Sequence, residues 1–240
     1  MANQETSAGK TNLTKRDFYT EETLFDSLAS SYDDWFDGEG KLIFATEVKA
    51  FQEILAFLPK PWLEMGVGSG RFAQALGIGI GVDPSIKLLE MVGERGIIVR
   101  LGRGEQQIFG AASFGTVFLI VTICFLDSVP SVLKEVDRIL IADGKIVVGL
   151  VLKESPWGKY YEKKKRQGHR FYKYANFYKY DEVVTFLEQC GFSIEKVIST
   201  LFQKPGKVEQ VELPHNGFFP SAGFVVIMAG KKASEGALVD

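Results

Sequence analysis

Across residues 18–58 the apolar positions recur at three- and four-residue steps. Leu24, Phe25, Leu28, Tyr32, Trp35 and Phe36 form one series, and Phe44, Val48, Phe51, Ile54, Leu55 and Leu58 a second. That period predicts amphipathic helices, and Pro59 and Pro61 close the region. Beyond it, short apolar runs alternate with amphipathic stretches. Strands are predicted over 62–65, 78–82, 97–101, 117–125 and 146–151. Helices are predicted to start at 72–76, to run from a Ser85 cap to Glu94, and to span 129–140, with Asp143-Gly144 marking the exit of the last. Strand–helix alternation with wholly apolar strands implies a parallel sheet covered on both faces.

After residue 151 the rhythm changes. Residues 155–170 read as a basic helix and 181–190 as a helix with Gly191 at its C-cap. Two further strands are predicted over 192–202 and 222–231. Between them, 203–220 carries three prolines and reads as a long functional loop. The simplest organisation is one domain over 18–232: a helical cap (18–58), a core (60–151) and substrate-side elements with the last two strands (152–232). Polar tails at 1–17 and 233–240 flank it.

Composition narrows the function classes. With 240 residues and 46% hydrophobic content the chain can bury a sizeable core, and 24% charged with 12% aromatic residues excludes a disordered chain. The longest apolar run, 117–126 broken only by Thr122, is half of what a bilayer span needs. No secretory leader pattern is visible, and Cys124 and Cys190 cannot form a disulfide framework or a cysteine zinc site, so a cytoplasmic location is expected and no metal. A net charge of −2 argues against a general nucleic-acid binder. One local exception is 159–180, where eight Lys/Arg interleave with eight aromatics. Such a pattern suits single-stranded nucleic acid, but a solvated helix face with rings packed beneath it explains it equally well.

The most informative stretch is Leu63-Glu64-Met65-Gly66-Val67-Gly68-Ser69-Gly70-Arg71. A strand, three alternate glycines and a helix make a loop that lets a ligand approach main-chain atoms. A dinucleotide fingerprint wants glycine at the sixth position, where this chain has Arg71. Glu64 fits poorly beside a pyrophosphate and better beside a ligand bearing positive charge. The second strand ends at Gly81-Val82-Asp83-Pro84-Ser85, so Asp83 can accept ribose hydroxyls, or can simply form the turn before a helix cap.

These residues resemble the class I S-adenosylmethionine-dependent methyltransferases, in particular the small-molecule, type 11 branch related to ubiquinone/menaquinone-biosynthesis enzymes. Residues 63–70 match that family's glycine motif, 81–85 its ribose motif and 27–36 (SLASSYDDWF) its capping-helix signature. Residues 102–117 resemble its adenine segment, and 132–149 its helix, D-G turn and strand. The resemblance implies an α/β, Rossmann-like three-layer sandwich. Its mostly parallel sheet has seven strands ordered 3-2-1-4-5-7-6, the last antiparallel, under an N-terminal helical cap. It implies S-adenosyl-L-methionine as cofactor. Glu64, Gly66, Val67, Gly68, Ser69 and Gly70 would serve the methionine part, Asp83 and Pro84 the ribose, and Gly104 and Glu105 the adenine. Val121 and Thr122 would lie beside the transferring methyl. Two positions depart from the family pattern: Arg103 stands where an acid is usual, and Gly115 where Asp is common.

Methyl transfer is an in-line displacement in which proximity and orientation supply roughly 7–11 kcal/mol, so no strong acid or base is required and none is apparent. A small organic acceptor is expected, since Thr122-Ile123-Cys124-Phe125 replaces the Asn/Asp-Pro-Pro-Tyr mark of transfer to amide or base nitrogens. Candidate acceptor walls are Tyr19, Tyr32, Trp35, Cys124, Tyr160, Tyr161 and His169. Each of these rings can equally be packing, His169 and His215 can be surface histidines, and Cys124 a small buried hydrophobe. The competing functions are an NAD-dependent oxidoreductase and a non-catalytic S-adenosylmethionine-binding regulator. Monomer and dimer are both open.

Overall fold

The computed structural model describes residue 23 and residues 25–232. Tyr19, Leu24 and both polar tails lie outside the described residues. A short 3-10 turn (Asp26–Leu28) leads into the cap helices α1 (Ala29–Asp37) and α2 (Lys41–Gln52). The core follows as β1 (Trp62–Met65), α3 (Arg71–Leu76), β2 (Ile80–Asp83), α4 (Ile86–Gly93), β3 (Ile98–Leu101) and β4 (Phe114–Ile120). It continues through α5 (Val129–Ile139), β5 (Leu140–Leu150), α6 (Pro156–Arg166), α7 (Tyr180–Gln189), β6 (Phe192–Thr200), β7 (His215–Asn216) and β8 (Phe224–Lys231).

One sheet holds all these strands in the order β3-β2-β1-β4-β5-β8-β6-β7. Strands β1 to β5 pair in parallel, while β8 runs antiparallel between β5 and β6. The expected seven-strand order is therefore present, with one addition. The loop at 203–220 contributes β7, two residues that extend the edge of β6. The central strands are buried on both faces with side chains alternating between them, while the edge strands β3 and β7 are partly or wholly exposed. Phe118, Ile120, Val147, Val226 and Met228 join the layer under α2 and α3, whereas Val117, Leu119, Ile146, Val148, Val225 and Ile227 join the layer under α5 and α7. No described helix is long and apolar enough to cross a membrane.

Three boundaries differ most from those expected. The fourth strand stops at Ile120 instead of continuing to 125. Val121 adopts φ 53°, and Ile123–Phe125 forms a 3-10 turn. The apolar run continues because the turn is itself packed, Ile123 being buried. The fifth strand starts at Leu140, so Asp143-Gly144 is an irregularity within it: Phe114 pairs with Leu140 and Thr116 with Lys145. The basic helix ends at Arg166 and is followed by a separate 3-10 turn, Tyr172–Tyr174, with Gly168 at positive φ between them. Gly115, where the family commonly has Asp, sits against the chain entering β1. Its N–H donates to the Pro61 carbonyl at 3.0 Å, and any side chain would collide with the Pro59 carbonyl.

Candidate active site

The carboxyl ends of β1, β2, β4 and β5 open into one cavity of about 990 Å³, roofed by α1, part of α2 and the 164–178 segment. That is where open parallel sheets bind ligands, and its size is at the upper end of small-molecule sites.

The loop after β1 is made by its glycines. Gly66, Gly68 and Gly70 have φ values of 78°, 55° and 81°, a region that L side chains rarely adopt. The N–H groups of Gly66 and Val67 donate to the Val82 carbonyl at 2.8 and 3.0 Å, tying the loop to β2. The Gly68 N–H donates to Asp83 Oδ2 at 2.9 Å and the Ser85 N–H to Asp83 Oδ1 at 2.9 Å. Ser85 in turn caps α4 by accepting from the Leu88 N–H. Asp83 thus braces the turn and also lines the cavity. Each of its oxygens keeps a second lone pair for a ligand hydroxyl. Burial raises its carboxyl to about 6, against the lowering pull of the two N–H donors.

Glu64 lies at the root of the loop, 2% exposed, and its Oε2 has no hydrogen-bond partner among the described residues. Burial, and then the neighbouring Asp83 charge, push its carboxyl well above the usual carboxylate range. The Ala73 N–H offsets part of this, but a buried carboxyl oxygen left without a partner is costly in a resting protein. It is suited to a ligand that brings a cation.

Arg71, the residue that breaks the dinucleotide fingerprint, has a structural task. Its Nε and Nη2 donate to Asp33 at 2.8 and 2.7 Å, and Nη2 reaches Asp37 at 2.6 Å. Arg95 donates to Asp33 at 3.1 Å and to the Ser69 carbonyl at 2.7 Å. This ion-paired clamp fastens α1 to the glycine loop. Burial opposes ionisation of Asp33 most strongly, but hydrogen bonding, from Arg71 above all, and the Arg95 and Arg71 charges together outweigh it and hold the carboxyl down at about 2.

The remaining expected residues divide into two groups. Gly66, Gly68, Asp83, Pro84, Gly104, Glu105, Val121 and Thr122 line the cavity, as do Tyr32, Trp35, Cys124, Tyr161 and His169. Glu64, Val67, Ser69 and Gly70 do not line it. A side chain at Gly70 would meet Val92 and Ile97, and Val67 packs over Gly81. Tyr160 is turned away from the cavity, its ring covered by the Lys164 ammonium at 4.9 Å. Arg103 lies on the surface facing Asp127 at 3.5 Å. Burial pushes the Cys124 thiol up to about 12, which removes it as a nucleophile near neutral pH. Many rings of the basic segment point inward. Tyr161 and Phe177 are buried and stacked at 6.2 Å, and Tyr161 meets Tyr172 at 4.3 Å. This arrangement matches the packed-ring account of 159–180 better than a nucleic-acid platform.

Sequence reasoning missed Glu47. It lies on α2 in the buried series Ile43, Glu47, Ala50 and Phe51, is 5% exposed and faces the cavity. A carboxylate in the middle of an apolar helix face was the available signal.

Residues 63–148 match the family described as a methyltransferase domain. The crystal structure of an S-adenosylmethionine-dependent methyltransferase from Thermotoga maritima, described as a possible histamine N-methyltransferase, is 36% identical. It superposes with a TM-score of 0.81 over 87% of this chain and 99% of its own. An uncharacterized protein of Methanocaldococcus jannaschii is 36% identical over 209 residues, 87% of this chain and 98% of the relative. An uncharacterized Mycobacterium tuberculosis protein is likewise 36% identical, over 86% of this chain and 73% of the relative. Glycine loop, the carboxylate at the tip of β2, strand order and these likenesses agree: the chain belongs to the class I S-adenosylmethionine-dependent methyltransferases.

Proposed function

We propose that this protein transfers a methyl group from S-adenosylmethionine to a small organic acceptor held in the same cavity. The observation that carries the reading is Glu64. Its buried, unpartnered carboxylate oxygen stands behind a glycine loop whose cavity-facing member, Gly68, leaves room that a side chain would fill against Tyr32. A nucleoside with a cationic amino-acid tail suits that combination, and a dianionic pyrophosphate does not. Asp83 and Pro84 would hold the ribose, Gly104 and Glu105 would border the adenine, and Val121 and Thr122 would flank the reacting end. Glu64, Val67, Ser69 and Gly70 would act from behind the loop by fixing its shape and charge.

When bound, the cofactor supplies an activated methyl on a sulfonium. The work of the chain is to orient and to exclude water. Tyr32 reaches the loop at Gly68 and packs edge-on against Phe25, Phe36 and Phe171, so it closes the cavity over the reacting region. Burial, with the nearby carboxylates, raises its hydroxyl far above neutrality, so it acts as a neutral wall. The Arg71–Asp33 clamp keeps that roof in place.

The test is calorimetric titration with S-adenosylhomocysteine and with NADH, followed by assay of S-adenosylhomocysteine release across a panel of small acceptors. Binding of S-adenosylhomocysteine together with acceptor-dependent release supports the reading. Tight NADH binding without it refutes the reading, and binding without turnover for any acceptor marks a regulator.

A further inference from the structure

Part of the cavity is walled by rings: Trp35 and Phe36 from α1, Tyr161 from α6, and Tyr172 and Phe177 from the segment after it. Into this wall α2 inserts one carboxyl group, Glu47. No hydrogen bond, and no lysine, arginine or histidine within ion-pairing distance, compensates it among the described residues. Its titratable neighbours are Tyr32 of α1, Tyr161 of α6 and Tyr172, all kept neutral by burial. The bases lining the cavity, Arg103, Lys164, His169 and Arg170, lie on other segments, and none of them pairs with it. A fold has no use for an uncompensated buried carboxyl, and such groups concentrate at functional sites. Burial alone lifts it to about 8.

A carboxyl group set among tyrosine rings suits a cationic ligand. A protonated amine satisfies the carboxylate directly and the rings through cation–π attraction. We propose that Glu47 is the recognition group for a basic amine on the acceptor, so that the substrates are amines carrying an apolar body. This assignment rests on the methyltransferase reading of the same cavity.

The experiment uses the full chain saturated with S-adenosylhomocysteine and calorimetric titration with three matched pairs: 2-phenylethylamine and 2-phenylethanol, tryptamine and tryptophol, hexylamine and hexanol. For at least one pair the amine should bind roughly tenfold or more tighter than the alcohol, the scale of one charge-assisted hydrogen bond. Near pH 6.5 its binding should release about one proton, since Glu47 must ionise to meet the ammonium. That proton is read by repeating the titration in buffers of different ionisation enthalpy. In Glu47→Gln the preference and the proton release should both vanish while alcohol and S-adenosylhomocysteine affinities hold. Equal affinity within every pair, no amine binding at all, or a preference that survives in Glu47→Gln overturns the proposal. If S-adenosylhomocysteine binds but the amine preference is absent, this inference alone fails. If S-adenosylhomocysteine does not bind, the methyltransferase reading fails with it.

Discussion

The two ends of the cavity are built by different means. At the end formed by β1, β2 and β4, the backbone does most of the work. Three left-handed glycines, two N–H groups donating to Asp83 and a Ser85 cap lie within residues 64–85. At the other end side chains do it: Trp35, Glu47, Tyr161, Tyr172 and Phe177 come from separate elements and meet only in the folded chain. A backbone cradle needs particular residues at fixed short spacings and tolerates few alternatives. A side-chain wall can be rebuilt one ring at a time, so the two ends can change independently.

The comparison can be broken at its strongest point first. Gly68→Val places a branched side chain at φ 55° beside the Tyr32 ring, and S-adenosylhomocysteine affinity should fall by about 100-fold or more, ~2.7 kcal/mol. Unchanged binding by calorimetry would show that the loop is not the cradle. Asp83→Asn keeps the shape and removes the charge; a loss of ~1–3 kcal/mol in the same titration is expected. Next is the joint between the two ends. Arg71→Met should lower the unfolding free energy by about 1–2 kcal/mol, between the values for an exposed ion pair and a buried charged hydrogen bond. Denaturant titration reads this, and the loss should shrink as pH falls towards 2, where Asp33 in the native protein takes up its proton.

The smallest effect belongs to the ring-walled end. Glu47 holds its proton more tightly in the folded chain, with a value near 8 against 4.5 unfolded, so its contribution to stability falls as pH rises through that window. Glu47→Gln should therefore be more stable than the native protein by about 1 kcal/mol at pH 8, a figure discounted for water reaching the cavity-facing group, and equally stable near pH 4, below the unfolded value. Thermal unfolding at the two pH values decides it.

The same contrast explains what could be read in advance. The strands and the glycine loop were legible because hydrophobic period and glycine spacing are local properties, while the strand order followed only from the family resemblance. The end of β4 was not. Val121 turns at φ 53° inside an unbroken apolar run, and nothing in the run announces the turn. Arg71 was legible as an exception to a dinucleotide motif, but its partners lie 34 and 38 residues away, so its purpose was not. Tyr160 and Tyr161 look alike in the sequence, yet only the second faces the cavity, because helix phase sends adjacent residues in different directions.

Val121 also carries two opposing demands. A β-branched residue in a left-handed turn costs ~1–3 kcal/mol that glycine would spare. The Val121 N–H, donating to the Gly149 carbonyl at 2.8 Å, pins the bend at the rim of the cavity. Drift to glycine would relieve that backbone cost but leave a notch where an isopropyl group now shapes the wall and packs on the core, so at this position side-chain shape outweighs backbone ease.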